Sequence, residues 1–165
     1  IGYQYTDCPL YWISVIYLNF AEAKAEMGSL TQDDLNNSIN KLQARAGLPA
    51  MTTTPDADPA NNMGVSNLIW EIRRCRRCEL IMDNWYRYWD LIRWHQLDKL
   101  DSTKYPNTML GANVSNVPDC EEATKNGYID ASDAQIRTYE AKHYFYPIPT
   151  TQLTLNKNMK QNPGW

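Results

Sequence analysis

The stretch Ile72–Trp94, IRRCRRCELIMDNWYRYWDLIRW, decides the fold. It carries six arginines, Arg73, Arg74, Arg76, Arg77, Arg87 and Arg93, among three carboxylates, Glu79, Asp83 and Asp90. Arg76 with Glu79, Asp83 with Arg87 and Asp90 with Arg93 stand at the spacings that let opposite charges pair along a helix. Leu68, Ile72, Cys75 and Met82 recur on one helical face before the break near Asn84, and Tyr88, Trp89, Ile92 and Trp94 recur after it. The pattern predicts one helix over Asn67–Asp83 and a second over Trp85–Leu97. Glu79 falls on the apolar stripe, where an unpaired charge is costly, so it should meet an arginine in the interior. Asp90, Arg87, Trp89 and Trp94 are read as fold residues for the same reason.

Working back towards the start, Leu10–Met27 has Ile13, Ile16, Tyr17, Phe20, Ala23 and Met27 at the spacing of one helical face, with Pro9 able to open the helix and Gly28 to close it. Trp12, Val15 and Leu18 add apolar groups on other faces, so this helix should be wrapped from several sides, in part by residues outside the chain. Thr31 followed by Asp34 announces the next helix, which carries Leu35, Ile39, Leu42 and Ala46 before Gly47. The two form an antiparallel hairpin of helical-repeat length, and such a unit cannot bury its own face alone.

Between the hairpin and the arginine-rich stretch, LPAMTTTPDADPANNMGVS (48–66) has three prolines and reads as a long loop. After Leu100 the periodicity dissolves up to Asp133, which predicts an irregular excursion without a substantial sheet. The tail, HYFYPIPTTQLTLNKNMKQNPGW, holds an extended Pro-Ile-Pro element and then a short helical turn that Thr150 or Thr151 could cap.

The composition bounds the function. With 165 residues, 43% hydrophobic, the chain can bury a core, and no apolar run is long enough to span a bilayer, since Ser14 and Asn19 interrupt the best one. A net charge of −3 argues against binding to a phosphate backbone, so no nucleic-acid partner is expected. Six Trp and 11 Tyr against two Phe leave an excess of aromatics with polar tips, suited to a hydrogen-bonded core, to sugar stacking or to a protein interface. Ile1 in place of a methionine suggests processing or truncation upstream, and the closing NPGW reads as a natural terminus.

No catalytic motif stands out. Paired carboxylates could serve glycoside hydrolysis, but those in the arginine-rich stretch have arginine partners at hand, and Asp56, Asp58 and Asp119 have no companion motif. Cys75 and Cys78 form a CxxC that His95, His143 or Cys120 could complete into a zinc site, or that could be a redox pair; without a second close ligand pair, and in mid-helix rather than at a helix start after a strand, small core residues are the favoured reading. A Cys8–Cys120 disulfide fits an oxidising compartment. His95 and His143 lack triad context and read as packing or hydrogen-bonding residues. No cofactor or metal is expected. In the irregular segment, Tyr105, Asn107, Asn113 and Tyr128 combine stackable rings with amides that both donate and accept, and these four are the candidate ligand contacts.

Four pieces in order carry a family resemblance: LNFAEAKAE (18–26) followed by INKLQARAGL (39–48), then IRRCRRCEL (72–80), WYRYWDLIRW (85–94) and YFYPIPTTQLTLNKNMKQNPGW (144–165). Together they resemble the C-terminal part of the SusD/RagB-like nutrient-binding lipoproteins of Bacteroidota outer membranes. The chain departs from that pattern at Trp12–Val15, at Cys75, where the family favours glutamate, and near Trp85 and Tyr86, where it favours glycine. The resemblance implies an all-α, SusD-like fold over residues 1–165, with one tetratricopeptide-like helix hairpin, a second helix pair and long irregular loops; the N-terminal helical-repeat part would lie outside this chain. It further implies non-catalytic binding of an oligosaccharide or other nutrient at the cell surface, in partnership with a SusC-like TonB-dependent transporter. The anchor would be an N-terminal lipid on a cysteine upstream of Ile1. Two competing functions are a helical adaptor without glycan affinity and a glycosidase.

Overall fold

Helix α1 spans Ile13–Glu26, α2 Gln32–Asn36, α3 Ile39–Arg45, α4 Asn67–Glu79, α5 Tyr86–Arg93 and α6 Thr150–Leu155. The computed structural model describes residues 11–81, 86–117, 124–130 and 135–165. Among the described residues the chain is mostly helical, with six α-helices against one small sheet, as an all-α SusD-like fold requires. It divides within α5 into two units, Ile1–Arg87 and Tyr88–Trp165. No described helix is long and apolar enough to cross a membrane.

In the first unit, α1, α3 and α4 enclose a core of Leu18, Ala21, Leu35, Ile39, Leu42, Met51, Ile72 and Leu80. The stripes expected on the second and third helices are the buried ones: Leu35, Ile39, Leu42 and Ile72 are inside, with Leu68 and Cys75 packed against them. Ala46, at the helix end, is exposed. The expected face of α1 is overturned. Ile13, Ile16, Phe20 and Met27 are 61%, 59%, 42% and 77% exposed, and the helix buries Ser14, Leu18, Ala21 and Glu22 instead, with Tyr17 only half-buried. The physical reason is charge and size rather than hydropathy. Ala21 lets α4 approach closely, and Glu22 must turn inward to meet Arg73, whose Nε donates to Glu22 Oε1 at 3.2 Å while Nη2 donates to Glu26 Oε1 at 3.0 Å.

The other charges also choose partners from neighbouring helices. Glu79 meets an arginine, as expected, but it is Arg45 of α3, which donates to both carboxylate oxygens at 2.7 and 2.6 Å from an exposed position rather than from the interior. Arg76, expected beside Glu79, is buried and donates to Asn19 Oδ1 at 2.8 Å, with its guanidinium over the Tyr86 ring. Arg93 pairs with Asp90 at 2.9 Å, as the spacing predicts. Asp83, the expected partner of Arg87, lies outside the described residues, as do Pro9, Cys8, Cys120 and Met82.

Thr31 and Asp34 form the expected reciprocal cap: the Asp34 backbone N–H donates to Thr31 Oγ1 at 3.1 Å and the Thr31 N–H to Asp34 Oδ2 at 2.9 Å. These bonds, with Lys24 nearby, hold the Asp34 carboxyl below its usual pKa. Gly28 and Gly47 close their helices at φ +66° and +70°. The single helix expected over 31–46 is broken into α2 and α3. Ser38 Oγ donates to the Asp34 carbonyl at 2.6 Å and Asn37 Nδ2 to the Asp33 carbonyl at 3.0 Å, competing with the helical ladder at the break. The following loop is pinned at its start, where the Met51 N–H donates to Asn40 Oδ1 at 2.7 Å and Asn40 Nδ2 donates back to the Met51 carbonyl at 3.1 Å.

In the second unit, Leu91, Trp94 and Leu97 are buried; Trp89, read as a fold residue, is 53% exposed. Short 3-10 turns span Leu97–Leu100, Pro106–Met109 and Ala141–Tyr144. The segment expected to be irregular carries a small antiparallel sheet of β1 (Leu110–Asn113), β2 (Thr124–Lys125) and β3 (Tyr128–Asp130), in the order β1-β3-β2. Its signal is Asn126-Gly127, between β2 and β3, where φ values of 55° and 82° supply the two left-handed positions of a tight hairpin turn. The terminal helical turn is present as α6, but Pro149 precedes it and neither Thr150 nor Thr151 caps it through a side chain.

Candidate binding site

The tail of the second unit is held by polar side chains that take the place of a hydrophobic core. Asp101 organises its base: Oδ1 accepts from the Thr103 N–H at 2.9 Å and from Thr103 Oγ1 at 2.5 Å, and Oδ2 accepts from the Tyr139 N–H at 3.1 Å. The Thr103 hydroxyl and the Tyr139 amide hold the Asp101 carboxyl down at about 2. Beside it, the Ser102 N–H donates to the Arg137 carbonyl at 2.9 Å, and the Arg137 N–H donates to Ser102 Oγ at 3.0 Å. The main chain at Arg137 is therefore clamped on both its polar groups.

The end of the chain folds back in the same manner. Gln161 exchanges two bonds with the Ile148 main chain, at 2.7 and 2.9 Å, and Asn162 Nδ2 donates to the Tyr146 carbonyl at 2.6 Å. The Trp165 indole N–H donates to the carbonyls of Phe145, at 2.9 Å, and Lys142, at 3.2 Å. Gly164 makes this return at φ +85°, and a Cβ there would stand 2.9 Å from Lys142 Cβ, so the residue before the terminal indole must be glycine. The closing NPGW motif is a device for seating an aromatic ring.

What these bonds build is a cleft of about 410 Å³. Tyr88, Tyr139, Phe145, Tyr146 and Trp165 supply its aromatic walls, Leu97 and Leu100 its aliphatic ones, and Arg137, Thr138 and His143 its polar groups. Tyr139 stands edge-on to Tyr144, and His143 edge-on to Trp165, with centroids 5.7 and 5.9 Å apart. His143 Nδ1 accepts from the Glu140 N–H at 3.0 Å, and the Tyr144 hydroxyl accepts from the Leu97 N–H at 3.2 Å, which fixes both rings. Burial, reinforced by the Tyr144 hydroxyl, pushes the Tyr139 phenol up to about 12, and a hydrogen bond with Tyr146 raises that of Tyr88. Around neutral pH these phenols present neutral hydroxyls. A concave site of this size, mostly aromatic with a few fixed polar groups, has the form of a small-molecule site.

The four residues nominated from the sequence lie elsewhere in the unit. Asn113 and Tyr128 are brought together as cross-strand partners of β1 and β3. Asn113 Oδ1 accepts from the Ser115 N–H at 3.0 Å, and Tyr128 is half-buried. Tyr105 and Asn107 sit at the Pro106–Met109 turn, with the Lys99 ammonium 5.1 Å from the Tyr105 ring. None of the four lines the cleft. Sequence reasoning missed the cleft because its walls come from the helix end at Tyr88, the turn after Leu97 and the tail; the available signal was the aromatic spacing of YFYP together with the terminal tryptophan.

A second cavity, of about 590 Å³, lies in the first unit against the 48–66 loop, lined by Gln43, Met51, Thr52, Thr54, Asp56, Asp58 and Glu71 among others. It has no aromatic wall, and Glu71 is ion-paired with Arg74. Cys75 is packed against the core, where burial pushes its thiol up to about 11. Cys78 is exposed rather than a core residue, and both thiols are free. Among the described residues no cluster of three or more His, Cys, Asp or Glu could hold a metal ion. The Cys8–Cys120 pair lies outside the described residues.

The family model described as the SusD family matches residues 1–165, the whole chain, and the chain belongs to that family. Among solved structures it is similar to a SusD-like protein from Bacteroides fragilis NCTC 9343, at 25% identity over 92% of this chain with a TM-score of 0.58. The chain spans 25% of the length of that protein. No curated protein matches it.

Proposed function

We propose that this chain is the C-terminal part of a protein that captures an oligosaccharide or other nutrient at the bacterial cell surface and does not turn it over. The observation that carries the reading is the SusD family match over residues 1–165. In this reading the remaining, N-terminal helical-repeat part completes the fold, an N-terminal lipid anchors the protein to the outer membrane, and a SusC-like TonB-dependent transporter receives the ligand. The aromatic cleft supports it at the level of chemistry: neutral phenols and an indole provide faces for sugar C–H groups and hydroxyls for sugar oxygens. We place the primary ligand contacts at Tyr146, Trp165 and Tyr139, with Tyr105, Asn107, Asn113 and Tyr128 as a second candidate set on the sheet side.

Isothermal titration of the full-length protein against a panel of oligosaccharides and peptides tests the capture reading, with product analysis of the same mixtures. Binding without product release is the expected result. Absence of binding across the panel, or release of reducing sugar, would overturn it. Tyr146→Ala should weaken binding at least ten-fold if the cleft is the site, whereas a loss confined to Asn113→Ala and Tyr128→Ala would move the site to the sheet.

A further inference from the structure

We infer that the cleft selects a sugar residue bearing an anionic group, a carboxylate or a sulfate, with Arg137 as the specificity-determining residue; this rests on the capture reading above.

The inference begins from charge. The chain as a whole is net negative, at −3, yet no aspartate or glutamate lines the cleft. Arg137 does, and His143 lies with it. Asp98, in the turn between Leu97 and Leu100, lies close enough to Tyr139 to act on it through its charge, while two other acids nearby are engaged with partners of their own. Asp101 is saturated by Thr103 and the Tyr139 amide, and Glu140 pairs with Lys142 at 3.0 Å.

The second step is the state of the arginine itself. Three arginines of the first unit are paired with carboxylates, Arg45 with Glu79, Arg73 with Glu22 and Glu26, and Arg74 with Glu71. Exposed Arg77 has no ion pair among the described residues, but it lies outside this cleft, whereas Arg137 lines it. The Arg137 backbone is fixed on both sides by Ser102, while among the described residues its guanidinium makes no hydrogen bond and no ion pair. A side chain whose base is clamped and whose planar fork of donors is unspent is arranged to receive a bidentate acceptor, and carboxylate and sulfate oxygens match that fork. A neutral hydroxyl uses one donor and leaves the charge uncompensated.

The third step is the setting. Aromatic side chains at Tyr139, Tyr146 and Trp165 line the same cleft and offer stacking to a pyranose ring. Lys104, with its ammonium 6.0 Å from the Tyr139 ring, adds positive potential at the rim. An aromatic platform with a cation at its edge fits a ring with one negative substituent better than an uncharged ring or an extended apolar chain.

The test uses the full-length protein and four probes of equal length: an oligogalacturonate, its methyl-esterified form, a sulfated galactan oligosaccharide and the unsulfated galactan. Titration calorimetry should show an acidic-over-neutral preference of about ten-fold or more, the scale of a charged hydrogen bond. Preference within the first pair identifies a carboxylate, and within the second a sulfate. In Arg137→Gln the ratio should collapse towards one, and Arg137→Lys should retain part of it, with thermal unfolding reporting that both variants are folded. Equal binding of acidic and neutral probes would overturn the inference and leave the capture reading standing. A preference that survives Arg137→Gln in a folded protein would also overturn it, by placing the anion elsewhere. Binding of none of the four sugars would overturn the inference, whereas the capture reading falls only if the wider panel of oligosaccharides and peptides also goes unbound.

Discussion

The two units of this chain solve the same packing problem with different materials. Up to Arg87, one set of large side chains is withdrawn from water altogether, Leu18, Leu35, Ile39 and Ile72 all being 0% exposed, and a buried Arg73–Glu22 pair joins α1 to α4. After Tyr88 the buried apolar set is Leu91, Trp94 and Leu97, and much of the order comes from side-chain amides, a carboxylate and an indole bonded to main-chain groups. Burial of apolar area is non-directional, whereas hydrogen bonds fix orientation. The first unit is thus held chiefly by burial, and the second by bonds that orient the rings around a cleft. The lesson is that the walls of a candidate cleft can be oriented by hydrogen bonds without a large core beneath them.

The comparison can be broken most easily at the buried ion pair. Arg73→Ala removes the guanidinium that Glu22 and Glu26 meet and should cost up to about 3–5 kcal/mol by urea denaturation of the full-length protein; a loss below about 1 kcal/mol would mean that water or another group compensates Glu22. Leu18→Ala should follow, at about 2–5 kcal/mol, as expected for truncating a fully buried leucine. Trp165→Ala, at a position 45% exposed, should cost less than Leu18→Ala while altering the near-ultraviolet circular dichroism of the tail. Equal losses from the two would erase the distinction between the units.

The gentlest perturbation is pH. Asp101 has its folded pKa held at about 2, below the ordinary value of 3.8, so its contribution is fully present above about 4 and is lost as pH falls through 2. Tail order, followed by tryptophan fluorescence, should therefore decline between those values. Asp101→Asn should be less stable at neutral pH and flatter across the acid range.

Much of the first unit was legible because local rules and burial agree there. Thr31 with Asp34 capped a helix, Gly28 and Gly47 ended two, and the stripes of Leu35, Ile39, Leu42 and Ile72 pointed inward. The α1 face was not legible, because apolar residues surround that helix and periodicity alone cannot say which side α4 will take. The deciding residues were Ala21 and Glu22, whose importance emerges only once Arg73 is placed opposite. The sheet was announced by Asn126-Gly127, a short signal easily lost in a polar segment. The candidate cleft was least legible, since Tyr88, Leu97, Arg137 and Trp165 are far apart in sequence and no spacing rule links them.

The seating of Trp165 on Lys142 and Phe145 also sets an order of events during synthesis. Residues up to Arg87, which include every member of the first unit's core, leave the ribosome first. The cleft cannot close until Trp165 has followed them, an interval of seconds at about 5–20 residues per second. A nascent chain stalled before Trp165 would carry the core of the first unit and an unfinished cleft.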